Sequence, residues 1–146
     1  MTTTAVHTTA RFAVGGSPPP PAVSPPRGHR DACIHALFEE QVRRVPDRVA
    51  VTVLGRGLTY LELDRRANGM AHALRAAGVG PDVLVGICTG RSLDMVASLL
   101  AIHKAGGAYV PLDPDYPPER LRLYIEDSQV AVIITDPARE ALLPEG

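Results

Sequence analysis

The sequence predicts an α/β fold: a layered, largely parallel sheet with flanking helices. Three observations predict it. Beyond residue 30, helix-period and strand-like segments alternate in the order α-β-α-β-α-β-α-β. Two of the strand candidates, DVLVGIC (82–88) and VAVII (130–134), are almost continuously apolar, as strands covered on both faces are. Each strand candidate after the first is reached through a helical segment, which is the connection a parallel pair requires. At 146 residues the chain has room for one domain with a real core and not for two.

Residues 1–30 stand apart from this pattern. They contain Gly15-Gly16, the run Pro18–Pro21 and Pro25-Pro26, and prolines cannot donate to a ladder or a helix. This stretch reads as a disordered arm with a polyproline patch, serving as a spacer or as a ligand for an aromatic groove. The folded region is therefore expected over 31–146.

The first helix is predicted from Asp31 as N-cap, with Ile34, Leu37, Phe38, Val42 and Val45 on one buried face and Pro46 as its stop. Glu39 and Arg43, at i and i+4, are expected to make a solvated pair on it. RVAVTVL (48–54) then reads as a strand and Gly55-Arg56-Gly57 as a tight turn, half of a hairpin. In LTYLEL (58–63), Thr59 at the N-cap and Glu62 at N3 make a capping box, and Leu58 can staple against Leu63. The helix that follows carries Leu63, Ala67, Met70, Leu74 and Ala77 on one face, with Glu62, Arg65, Arg66 and His72 off it and Gly78 at C′.

After the 82–88 strand, Ser92 to His103 is apolar on most sides and is expected inside. Lys104 falls in its last turn, where a cation meets the negative end of the helix dipole, and Gly106-Gly107 supply the left-handed exit. Ala108–Leu112 is a short strand and Asp113-Pro114-Asp115 a turn. Tyr116 is the expected N-cap of a helix that has Pro117 in its first turn and reaches about Asp127.

Composition narrows the function classes. Fifteen Lys and Arg against 16 Asp and Glu leave a formal charge of −1, so charge predicts neither nucleic acid nor a membrane surface as partner. The apolar run Met95–Ile102 is far short of a membrane span and the Thr-rich start lacks signal-peptide order, so a soluble cytoplasmic protein is expected. Cys33 and Cys88 have no metal or redox spacing, nor does either make one with His35 or His103. Ser92, Ser98 and Ser128 lack a nucleophile-elbow context, and no phosphate-loop motif G-x-x-x-x-G-K-[ST] occurs. No catalytic, cofactor-binding or metal residue is assigned.

Two stretches carry a resemblance. LTYLEL and HKAGGAYVPLDP, with CIHALFEEQV, GVGPDVLVGI and DPDYPPERL around them, make the chain from about Cys33 to Asp136 similar to the N-terminal part of an adenylation domain of the nonribosomal peptide synthetase type, an adenylate-forming AMP-dependent synthetase/ligase. The matching residues are Leu58, Thr59, Tyr60, Glu62 and Leu63 in the first motif and Lys104, Ala105, Gly106, Tyr109, Pro111 and Asp113 in the second. His103, where that family usually has an apolar residue, and Thr89-Gly90, where an acidic residue usually precedes the arginine, depart from it.

The resemblance implies amino-acid activation with ATP and magnesium, followed by transfer to a carrier-protein phosphopantetheine thiol. It also implies that both motifs are scaffold, since the family's phosphate loop, amino-acid pocket and catalytic lysine lie downstream of them. The 31–146 region is thus expected to be an incomplete portion of the domain, inactive and without a cofactor by itself. Its partners would be the remainder of that domain or a carrier protein. An acyl-CoA or aryl acid ligase fragment, a non-enzymatic α/β interaction module and half of a split enzyme are the alternative readings.

Overall fold

The computed structural model describes residues 5–6 and 33–143. Its elements are β1 (Ala5–Val6), α1 (Ile34–Arg44), β2 (Val49–Val53), β3 (Arg56–Thr59), α2 (Tyr60–Ala76), β4 (Leu84–Cys88), α3 (Leu93–Ala105), β5 (Ala108–Pro111), α4 (Pro118–Ser128), β6 (Val132–Thr135) and a 3-10 turn at Glu140–Leu142. Within the stretch expected to be an arm, Ala5–Val6 pair in parallel with Ile133–Ile134 of β6. The other residues of that arm, and Asp31, lie outside the described residues.

Strands β1, β6, β4 and β5 form a parallel sheet in that order. Successive residues of β4 face opposite ways. Val85 and Ile87, with Val132 and Ile134 of β6, pack on α2 and α3 through Ala67, Ala71, Leu74, Ala101, Ile102 and Ala105. Cys88 and Ile133 pack the other way, with Leu112 and with Leu121 of α4. The layers are therefore helix, sheet, helix. The alanines let α2 and α3 approach closely, and Ala67, Ala97 and Ala101 have no exposed surface.

The strands β2 and β3 make a separate antiparallel hairpin, of which β2 is the half expected. Its turn is Leu54-Gly55, both at positive φ (52° and 73°), the geometry of a two-residue hairpin turn. Arg56 and Gly57, expected in the turn, belong to β3 because Val53 pairs with Arg56 and Thr52 with Gly57. Leu58 likewise pairs with Val51.

The capping box is present in full. The Thr59 N–H donates to Glu62 Oε2 at 2.8 Å, and the Glu62 N–H donates to Thr59 Oγ1 at 3.2 Å. The bonds from Thr59 hold the Glu62 carboxyl below its ordinary pKa. At the other end of α2, Gly78 (φ 88°) donates to the Arg75 carbonyl and Val79 to the Leu74 carbonyl, at 3.0 and 2.9 Å, which is a complete Schellman motif. The buried face is Leu63, Ala67, Ala71 and Leu74, and Ala77 is exposed because it already lies at the C-cap.

Three helix starts and faces differ from expectation. Cys33, not Asp31, is the N-cap of α1, and no side chain caps it. No α1 residue is fully buried, and Ile34 is 63% exposed, so this helix rides on the α2–α3 layer rather than sinking into it. Pro117 rather than Tyr116 is the N-cap of α4, with Pro118 at N1. Ser92 caps α3 as expected, accepting from the Met95 N–H at 2.9 Å.

Lys104 lies in the last turn of α3, but its charge does not end at the dipole. Its side chain is 5% exposed and its ammonium pairs with Glu39 Oε1 of α1 and lies 3.0 Å from Asp64 Oδ1 of α2. The second contact is an ion pair whose direction is poor for a hydrogen bond. Asp64 Oδ2 accepts from Asn68 at 2.9 Å, and the Lys104 carbonyl accepts from Arg75. Glu39 is thus engaged by Lys104 across 65 residues and not by Arg43 alone. The hydrogen bond from Lys104 holds the Glu39 carboxyl below its ordinary pKa. Among the described residues no helix is long and apolar enough to cross a membrane.

These helix contacts have measurable energies. Thr59→Ala removes the capping bond and is expected to cost about 1 kcal/mol in urea unfolding. Lys104→Met leaves two carboxylates facing each other and is expected to cost about 3 kcal/mol, the low end for a broken buried pair because Glu39 is partly exposed; adding Glu39→Gln and Asp64→Asn should restore most of it. Because the folded-state pKa of Glu39 is lowered, its contribution is full above the unfolded carboxyl range and is lost as pH falls through the folded value. The stability gap between the parent and Glu39→Gln should therefore close on acidification.

Candidate functional site

The order of strands fixes where a cleft can form. The chain leaves β4 through α3 on one face of the sheet, returns as the neighbouring β5, then leaves through α4 on the other face. Connections that diverge from adjacent parallel strands open a crevice at their carboxyl ends. A cleft of about 520 Å³ lies there, lined by Thr89, Gly90 and Arg91 after β4, by Leu112, Asp113, Pro114 and Asp115 after β5, and by Met95, Leu99 and Arg139.

Its polar end is organised by Asp136, which directly follows β6 and is 5% exposed. Asp136 Oδ2 accepts from Arg139 Nη1 at 2.6 Å and from the Gly90 N–H at 3.3 Å. The guanidinium lies so close over Gly90 that a Cβ there would stand 2.8 Å from Arg139 Nη2. Thr135 Oγ1 donates to the Cys88 carbonyl at 3.0 Å and ties the end of β6 to β4. Two buried oxygens, Thr89 Oγ1 and Asp136 Oδ1, have no hydrogen-bond partner among the described residues.

At the other side, Asp113 Oδ1 accepts from the Asp115 N–H at 3.0 Å and so closes the turn after β5. Burial pushes the Cys88 thiol above its ordinary pKa, which keeps it neutral and unreactive. Among the described residues no histidine, lysine or glutamate lines the cleft. Among the described residues no three His, Cys, Asp or Glu side chains converge as they would on a metal ion. ATP with magnesium has no built site in this donor set: Arg139 is neutralised by Asp136, an Asp113 oxygen is taken by its own turn, and Arg91, the cleft cation left without an ion pair among the described residues, is exposed. The cleft can hold and orient a polar group, and among the described residues that line it there is no nucleophile with a base.

The two motifs come together through the helical layer and at a surface groove that Tyr60, Leu63 and Tyr109 line. Thr59 and Glu62 form the cap, Tyr60 sets its ring 5.7 Å from that of Phe38, and Leu63 is buried. Lys104 is the tie between helices, Ala105 is buried, and Gly106 (φ 93°) is the left-handed C-cap. Tyr109 is 45% exposed on β5 and meets His103 edge to face at 5.7 Å. Tyr109, Pro111 and Asp113 reach the cleft; the first motif does not. Sequence reading missed Thr89, Asp136 and Arg139. The available signal was that strand candidates end at Cys88 and near Thr135, so the residues just beyond them share one edge of the sheet.

Comparisons with known proteins bear on the same stretch. The family model for AMP-binding enzyme matches residues 38–145. The chain is 54% identical over 113 residues to bacitracin synthase 1 of Bacillus licheniformis, an alignment that covers 77% of this chain and 2% of that protein. Among solved structures, the nonribosomal peptide synthetase FmoA3 in its α-methyl-L-serine-AMP bound form matches with a TM-score of 0.72 at 35% identity, over 77% of this chain and 13% of that one. The N-terminal subdomain of Klebsiella oxytoca NpsA in complex with 3-hydroxyanthranilyl-AMSN matches with a TM-score of 0.71 at 26% identity, over 77% of this chain and 28% of that one. The chain spans only a small share of the length of these relatives. By family match, sequence identity and parallel-sheet fold together, it belongs to the AMP-binding enzymes and corresponds to an N-terminal stretch of a nonribosomal peptide synthetase adenylation domain.

Proposed function

We propose that the chain serves in ATP-dependent aminoacyl-adenylate formation for nonribosomal peptide synthesis in the cytoplasm, as the N-terminal framework of an adenylation domain. The observation that carries this reading is the 54% identity to bacitracin synthase 1, which runs over most of the folded region. The ligand of FmoA3, α-methyl-L-serine-AMP, is an amino acid joined to AMP, the product class the reading requires. An aryl acid ligase is the weaker alternative, since the NpsA likeness rests on 26% identity.

In this reading the described residues build and brace the sheet, and the groups that meet ATP, magnesium and the amino acid come from the rest of the domain. Developing charge on a transferring phosphate needs positioned donors and a free cation. Lys104 is the only lysine in the sequence, and its ammonium is buried against Glu39 and Asp64. The partners that follow are that remainder and a carrier protein bearing the phosphopantetheine thiol.

Amino-acid-dependent exchange of labelled pyrophosphate into ATP tests the proposal. The 146-residue chain alone is expected to give none. Substituted in register for the matching segment of bacitracin synthase 1, it is expected to support exchange with the host's own amino acid. Exchange by the chain alone would overturn the framework reading, and a folded chimera without exchange would overturn the family function.

A further inference from the structure

Two aromatic pairs line one groove on the helical side of the molecule. Phe38 of α1 and Tyr60 of α2 make one, and His103 of α3 and Tyr109 of β5 make the other, each with ring centroids 5.7 Å apart. The groove has a volume of about 370 Å³, and Leu99 and Ile34 also line it. Ile34 is 63% and Tyr109 45% exposed, so apolar surface is left facing water. The Tyr60 and Tyr109 hydroxyls and the His103 ring make no hydrogen bond to another described residue. An aromatic trough with unused donors is the chemistry that recognises a polyproline helix, whose flat rings stack on aromatic faces while its carbonyls stay open to donors.

We propose that this groove is the docking site for the chain's own proline-rich segment, residues 17–26, SPPPPAVSPP. Six of its ten residues are proline. Connectivity favours this occupant over any other. The segment joins α1 at Cys33, immediately before Ile34 at the groove. The eight steps from Pro26 to Ile34 can span up to about 26 Å, ample for a return onto the groove. Val6 lies on β1, at the edge of the sheet opposite β5, whereas Tyr109 of the groove is on β5. The described residues on either side of 7–32 are thus Val6, at the sheet edge away from the groove, and Cys33, beside it. Docking within the chain also avoids the entropy of bringing two molecules together.

The test uses the full chain carrying Cys33→Ser and Ala22→Cys, with a nitroxide on the new thiol and uniform nitrogen-15 labelling. Cys33 is exposed and contributes no capping bond, and Cys88 is buried, so labelling is confined to residue 22. The expected result is a strong loss of amide signal at Phe38, Tyr60, His103 and Tyr109 that is unchanged on dilution and abolished by replacing Pro18, Pro19, Pro20 and Pro21 with glycine. These replacements lie outside the described fold, and the amide spectrum itself reports that it is intact. Loss that grows with concentration would give the groove to a second copy and overturn the proposal. Loss absent from the groove, or unaffected by the glycine replacements, would overturn it too. So would its disappearance when the whole chain, arm and label included, replaces the matching segment of bacitracin synthase 1, which would give the groove to the remainder of the domain.

Discussion

Burial of β4 on both faces is the constraint from which the rest of the architecture follows. Val85 and Ile87 point to one side, Gly86 and Cys88 to the other, and each side needs its own cover. One helix cannot supply both. The chain therefore places α3 on one face, comes back as β5, and crosses the sheet with α4 on the opposite face before adding β6 on the far side of β4. That crossing also opens the crevice at the carboxyl ends of β4 and β5. The close packing has a side-chain signature: a Cβ on Gly86 would stand 2.8 Å from Leu112 Cδ1, so the central strand has room only for hydrogen at that point.

Lys104 solves a different problem. Helix α1 buries no residue completely, and its apolar contact with the layer is through half-buried side chains such as Phe38. A buried ammonium between Glu39 and Asp64 adds a directed contact, joining α1, α2 and α3 at one atom. Taking that cation out of water is costly, and a buried pair of this kind specifies an arrangement more than it adds net stability. Arg66 and Asp94 show the other side of the balance: the pair is 2.6 Å apart, yet burial still raises the Asp94 carboxyl above its ordinary pKa.

Local signals in the sequence were readable, and distant ones were not. The capping box of Thr59 and Glu62 and the Gly78 terminus are decided within a few residues, and both stand as expected. So do the twice-covered strands, whose apolar runs need no partner to be recognised. The hairpin turn slipped to Leu54-Gly55 because register is set by pairing across the strands, and no glycine pattern distinguishes Gly55 from Gly57. Glu39 has an attractive partner four residues away in Arg43, and only the packing of three helices reveals Lys104. The cleft was invisible for the same reason: Gly90, Asp136 and Arg139 are brought together by strand order, not by spacing.

The junction of β3 with α2 has a mechanical consequence. Thr59 is at once the last paired residue of the hairpin, opposite Val49, and the cap of the helix. No loop separates the two elements, and the Tyr60 and Leu61 N–H groups donate back to the Arg48 and Pro46 carbonyls at 2.9 and 3.0 Å. The hairpin is therefore joined to α2 without a flexible linker. At the far end of that helix Arg75 donates to the Lys104 carbonyl, so α2 is fixed at one end to the hairpin and at the other to the last turn of α3.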